Sequence, residues 1–263
     1  MRTFAPMLLL GLALGPVSGL TSGTAAASSD SSSATAVADQ QAGTAEQVGI
    51  SETPGSPVAV DWGLTFASRY LFQGQDLSNG KPVAQPELAL SYGAISGSLW
   101  MNRDFAESHF NEIDGFVSVG RDFSKLWASI GYGYYEYPNR DDWDPSQEII
   151  FDFALAAPVS PTLTVNYDFD AGDGYYATLG GSQALPGQLS TLSAYSNLLY
   201  QGSYYDVSGI PAWELGLATE RELGGFLFAG AVSRFTTWDN GDFANEGAVP
   251  ANWYFSLSIV GSN

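Results

Sequence analysis

Asp152, Asp168 and Glu214 each stand where polar and apolar residues alternate: FDFAL around Asp152, VNYDF around Asp168 and WELGL around Glu214. Carboxylates in that setting can move protons, ligate cations or line a wet passage with negative charge. Asp61, Arg69, Glu87, Asp104, Asp114 and Glu220 occupy comparable positions. The chain has no Cys and one His, which removes thiolate zinc sites, Cys nucleophiles and His-rich metal centres. One nucleophile–base arrangement remains, Ser108-His109 with Glu107 and Glu112 as orienters, as a lipid hydrolase would use. Neighbouring residues on an extended segment point apart, which argues against it. Two acidic runs, residues 139–144 (NRDDWD) and 238–242 (WDNGD), carry oxygen ligands at spacings a Ca²⁺ ion can use, but neither completes an EF-hand loop. Solvated loop charge, or bridging of lipopolysaccharide through divalent ions, is the favoured reading. No resident metal or cofactor is expected. With 28 acidic and 9 basic residues the net charge is −19, the wrong sign for a nucleic-acid partner.

The elements that must position these carboxylates have a period of two. In Thr162–Asp170, Leu163, Val165, Tyr167 and Phe169 fall on one side and Thr162, Thr164, Asn166 and Asp168 on the other. In 252–260, Trp253, Phe255, Leu257 and Ile259 alternate with polar or small neighbours. Successive side chains of a strand face opposite ways, so each segment has one apolar and one wet face. Twelve such segments follow one another: 58–73, 83–92, 95–105, 112–123, 126–137, 147–157, 162–170, 174–183, 189–201, 212–222, 226–237 and 251–260. Most run about 10 residues, the length of a tilted membrane-crossing strand. Their connections alternate. Longer ones (74–82, 106–111, 138–146, 171–173, 202–211, 238–250) are interleaved with short turns (93–94, 124–125, 158–161, 184–188, 223–225), and only 171–173 is shorter than its place requires. That alternation suits a barrel with short periplasmic turns and longer outer loops.

Composition agrees. Aromatic residues make up 14% of the chain and charged residues only 14%, with 30 Gly. Tyr70 and Phe72, Tyr134, Tyr135 and Tyr137, Tyr175 and Tyr176, Tyr204 and Tyr205, and Trp253 and Tyr254 gather at segment ends, where interfacial girdles are expected. Residues 1–27 have the order of a signal peptide: Arg2, an apolar stretch Phe4–Leu20, then Ala25-Ala26-Ala27. Residues 28–57 are rich in Ser, Ala, Thr, Gln and Gly and lack aromatics, as a disordered leader does. Residues 58–263 are then the folded part. The expectation is an all-β, transmembrane, antiparallel up-and-down barrel of about 12 strands in a bacterial outer membrane.

The first hairpin carries a motif. Ser68, Tyr70, Phe72, Gly74, Ser78, Gly80, Pro82, Gln85 and, on the next segment, Trp100 stand at the spacing S-x-Y-x-F-x-G-x-x-x-S-x-G-x-P-x-x-Q followed by a Gly-containing strand with Trp. This resembles the TorF porin family (Gcw_chp) over about 40 residues. The family has Arg where this chain has Gln73, so no role is carried over to that position. The resemblance implies an outer-membrane barrel. Read from its residues alone, the hairpin is a structural turn at the outer rim, with Asn79-Gly80 as the turn, Asp76 and Ser78 capping it, and Pro82 and Pro86 at a strand start or bulge.

Apolar faces turned to lipid would force the strand carboxylates inward. The expected function is therefore passive diffusion of small cations or neutral solutes through a porin-like barrel, without enzymatic activity. The alternatives are a closed structural or adhesion barrel, its charges paired as Arg69 with Glu87 and Arg234 with Glu214, and the Ser108/His109 hydrolase. Expected partners are outer-membrane lipid, lipopolysaccharide and the outer-membrane assembly machinery.

Overall fold

Alternation becomes a wall. The computed structural model describes residues 58–140, 143–189, 191–237 and 252–262; the signal peptide, the leader and the 238–242 run lie outside the described residues, as do Asp141 and Asp142. Twelve strands follow in chain order: β1 (Ala59–Ala67), β2 (Val83–Tyr92), β3 (Ile95–Asp104), β4 (Glu112–Phe123), β5 (Leu126–Glu136), β6 (Ser146–Leu155), β7 (Thr162–Asp168), β8 (Gly174–Ala184), β9 (Leu192–Tyr204), β10 (Ala212–Leu223), β11 (Phe226–Thr237) and β12 (Asn252–Ser262). Each pairs antiparallel with the next, and β1 pairs with β12 from Asp61↔Ser262 to Ala67↔Ser256, so the ring closes without a free edge. A three-residue strand, Val207–Gly209, adds to β9 outside the ring.

The short turns are tight because the residues allow it. Leu223 and Phe226 are paired across Gly224-Gly225, whose φ values of 62° and 85° are the mirror-image turn that matches strand twist. Pro86 sits inside β2, where the ladder to β3 lacks pairs between Ala84↔Arg103 and Glu87↔Trp100, as its missing N–H requires.

The two faces are those the alternation requires. Leu88, Leu90, Leu179, Leu215, Phe255 and Leu257 lie on the outside, 45–59% exposed. An apolar belt of that extent is not a soluble protein's surface. The inner face carries small and polar residues: Ser96 bonds Ser118 at 2.6 Å, Thr65 bonds Ser258 at 2.7 Å, and Asp152 accepts from Ser129 at 3.0 Å and Thr164 at 2.9 Å.

Two expectations need correction. The first segment does not run to 73: β1 ends at Ala67, and Leu71–Phe72 pairs with Gln75–Asp76 in a miniature hairpin of its own. The end-of-strand aromatics also divide. Tyr134, Tyr175, Tyr205 and Trp253 are exposed, whereas Tyr70, Tyr135, Tyr176, Tyr204 and Tyr254 are buried in the interior. Within the strands period two dictates this, because adjacent aromatics such as Tyr134-Tyr135 and Tyr175-Tyr176 must face opposite ways.

Candidate functional site

The connection from β1 to β2, residues 68–82, does not stay at the rim. It is anchored at its start, where Ser68 N–H donates to the Phe255 carbonyl at 2.8 Å and Phe255 N–H donates to Ser68 Oγ at 3.1 Å. Asp76 organises its return. Oδ1 accepts from the Ser78 amide (3.1 Å) and hydroxyl (3.0 Å), Oδ2 accepts from the Gly80 amide at 2.8 Å, and Arg69 pairs with Oδ2 at 3.0 Å. Ser78 Oγ in turn accepts from the Tyr70 amide at 2.9 Å. The turn Gln73-Gly74 has φ of 47° and 82°. Asn79-Gly80 is the exposed rim turn, as the residues alone imply, but the arm before it folds into the barrel.

There Leu71, 1% exposed, joins a cluster with Leu199 of β9, Phe235 of β11 and Tyr254 of β12. Tyr70 packs at a tilt against Trp100 of β3 at 5.7 Å and donates to Glu112 Oε1 of β4 at 3.2 Å. Burial and the adjacent Glu112 hold that phenol well above its ordinary pKa, so it remains a donor. Phe72 meets Tyr176 of β8 edge-on at 5.4 Å.

On the loop side of this arm lies a cavity of about 870 Å³. Its carboxylates are Glu112, Asp144, Glu148, Asp168 and Asp170. Glu148 Oε2 accepts from Tyr135 (2.7 Å), Asn166 (2.7 Å) and Tyr176 (2.9 Å). Asp168 accepts from Ser146 Oγ at 2.8 and 2.7 Å, and from the Asp170 amide at 2.9 Å. Tyr204 packs against Tyr176 at a tilt and against Tyr205 edge-on, each at 4.8 Å, forming an aromatic wall. Burial first, then Asp168, pushes the Tyr205 phenol up to about 12.

The residues singled out in the sequence are not gathered in one place. Asp61, Glu87, Asp104, Asp114, Asp152, Asp168, Glu214 and Glu220 all fall on inner-face positions, but of these only Asp168 lines the cavity. Asp61 and Glu87 lie on neighbouring strands two positions off register. Glu214 is bonded by Tyr195 at 2.9 Å and Asn197 at 3.0 Å. Asn102, held by Gln85, links Asp104 to Asn111. Arg69 pairs with Asp76, not Glu87, and Arg234 is exposed outside over the Trp253 ring at 5.6 Å, not beside Glu214. Ser108 and His109 are exposed on the β3–β4 loop; His109 Nε2 is 3.6 Å from Glu107, while Glu112 is turned inward to Tyr70. Of the motif residues, Ser68 anchors the arm, Tyr70, Phe72 and Trp100 dock it, and Ser78 and Gly80 close it.

Gln73 and Glu148 are site residues that the sequence alone does not single out, and Glu112, an orienter of His109 by sequence, is instead a cavity residue. Glu148 was accessible to sequence reasoning, since it shares a face with Asp152 four residues on. Gln73 was not, because nothing local indicates that the arm turns inward.

No protein-family model matches the chain, and no curated protein matches it. Among solved structures the chain is similar to a KdgM porin, with 9% identity over 77% of this chain and 98% of that one, at a TM-score of 0.50. A second, a KdgM porin in complex with disordered oligogalacturonate, has 9% identity, the same coverage and a TM-score of 0.48. The first likeness is one of fold: a closed antiparallel barrel of twelve strands.

Proposed function

We propose that the chain is an outer-membrane, porin-like barrel of the TorF type for passive diffusion of small cations and neutral solutes. One observation carries this reading. Among the described strands, every Arg (Arg103, Arg121, Arg221 and Arg234) stands on an outward position, while the inner wall carries Asp61, Glu87, Asp104, Asp152, Asp168 and Glu214. The apolar belt faces lipid, and the outward arginines, close to strand ends, reach the headgroups. A low-dielectric wall lined by one sign of charge concentrates the opposite ion.

The inward arm makes the passage narrow. It occupies the interior between β3 and β8, so a solute entering from the loop side meets the cavity before the arm. The function is read as conduction and not catalysis. Planar-bilayer recording in a salt gradient tests it: small, cation-selective conductance is expected. Silence of the folded barrel would overturn it in favour of a structural or adhesion role.

A further inference from the structure

The cavity above the arm has a chemistry of its own. It combines five carboxylates with the rings of Phe72, Tyr135, Trp143, Tyr204 and Tyr205, and no Lys or Arg lines it among the described residues. Arg140, beside it, is engaged: its guanidinium donates to the Leu77 carbonyl at 3.3 Å and lies over the Trp143 ring at 4.4 Å. A ring that lines this cavity thus already carries a cation on one face.

A second observation is independent of the charge. Gln73, at the tip of the arm, lines the cavity, is 2% exposed, and has neither its amide oxygen nor its amide nitrogen in a hydrogen bond. A buried amide without partners costs free energy that a bound ligand would recover. Its neighbour Phe72 touches Tyr176, which bonds Glu148, and Gln73 and Glu148 line the same cavity.

We propose that this cavity binds a small organic ammonium ion, its head among Glu148, Asp168 and Glu112, its N–H groups on the Gln73 amide oxygen, and its apolar body against Tyr135 and Tyr204. This rests on the reading of the barrel as a passage for cations and names the solute class. An anion is excluded by the five carboxylates. A bare metal ion is disfavoured because, among the described residues, no three acidic or His side chains converge closely enough to hold one. Widely spaced carboxylates interleaved with aromatic faces suit a larger, softly hydrated cation.

The experiment is calorimetric titration of the detergent-folded full chain with propylammonium, with propanol, glucose and sodium chloride as comparisons. Propylammonium should bind, and the three others should not. Gln73→Arg places a tethered cation in the site and should weaken propylammonium binding at least about tenfold, the loss of one charge-assisted hydrogen bond or more. If heat-modifiable migration shows that Gln73→Arg misfolds, the rim pair Asp144→Asn with Asp170→Asn carries the test and should weaken binding in the same direction. Equal binding of propanol or glucose, no binding of propylammonium, or binding unchanged in the folded variants would each overturn the proposal. Conductance is read separately. Ammonium binding by a silent barrel would leave this site standing and overturn the porin reading; a cation-conducting barrel that does not bind propylammonium would do the reverse.

Discussion

The ring of Phe72, on the connection between β1 and β2, meets the ring of Tyr176 on β8 at 5.4 Å and an interplanar angle of 83°. In a twelve-strand ring, β8 stands across the interior from β1 and β2, so this contact marks how far the arm reaches. An edge-to-face pair contributes only about 0.5–1.5 kcal/mol. The arm is therefore held chiefly by its buried cluster with Leu71 and by the Tyr70–Glu112 bond.

Shortening the arm should open the passage. Replacing residues 70–77 with a brief Gly-Ser segment removes Tyr70, Leu71 and Phe72 while leaving the Ser68 anchor. Single-channel conductance should rise and the preference for cations should persist, because the wall carboxylates remain. Unchanged conductance would place the arm outside the path of ions.

The outer face predicts where charge is forbidden. Leu257 is 59% exposed near the middle of β12, facing Phe66 and Gly230 in the ladder. Leu257→Arg should cost about 2–4 kcal/mol at mid-depth and impair assembly. Asp152→Asn, on the inner face, should assemble normally, since Ser129 and Thr164 can reorient their hydroxyls toward an amide. Heat-modifiable migration reads both; normal assembly of the Leu257 variant would mean that the face is not in lipid.

The wall was legible in the sequence because the signal for each strand is local. Period two in 162–170 or 212–222 assigns both faces without knowledge of any neighbour, and the alternation of short and long connections orders the strands. The arm was not legible. Tyr70, Leu71 and Phe72 continue the apolar character of β1, and what draws them inward is supplied by Trp100, Tyr176, Leu199 and Phe235, residues 30 to 165 positions away in the numbering. The same holds for the ion pairs. Arg69 and Glu87 share an expected face, yet the turn brings Asp76 within 3.0 Å of Arg69 first. Local alternation determines facing, whereas loop trajectory depends on side chains that meet only after closure.

Gly216 on β10 tests inner-wall packing. It faces Tyr195 of β9 in register, and the Tyr195 ring lies where a Cβ on Gly216 would stand. The Tyr195 hydroxyl donates to Glu214 Oε1 at 2.9 Å. Gly216→Val should displace the ring, break that bond and destabilise the barrel by about 1–3 kcal/mol, the usual range for overpacking. Gly115→Val is the control, since a Cβ there meets nothing within 4 Å. Urea titration of the folded protein in detergent should separate the two; equal midpoints would show that the ring moves aside freely.

Cation preference is the last expectation, and it follows from where the charges stand. Asp61, Asp152 and Glu214 lie on three separated strands of the inner wall and are each 2% exposed or less. Neutralising all three with Asp61→Asn, Asp152→Asn and Glu214→Gln removes negative charge from around the passage without changing its width. The reversal potential in a salt gradient should move toward zero. The change should be largest in dilute salt, where the Debye length is about 30 Å at 0.01 M, and should shrink to little at 1 M, where it is about 3 Å. An anion-selective wild type would refute the assignment of the lumen, because it needs an inward cation. Arg121 lies outside over Phe123 at 5.7 Å and Arg234 outside over Trp253 at 5.6 Å, which leaves Arg69, already paired with Asp76, and Arg140, over the cavity-lining Trp143, as the residues to replace in that event.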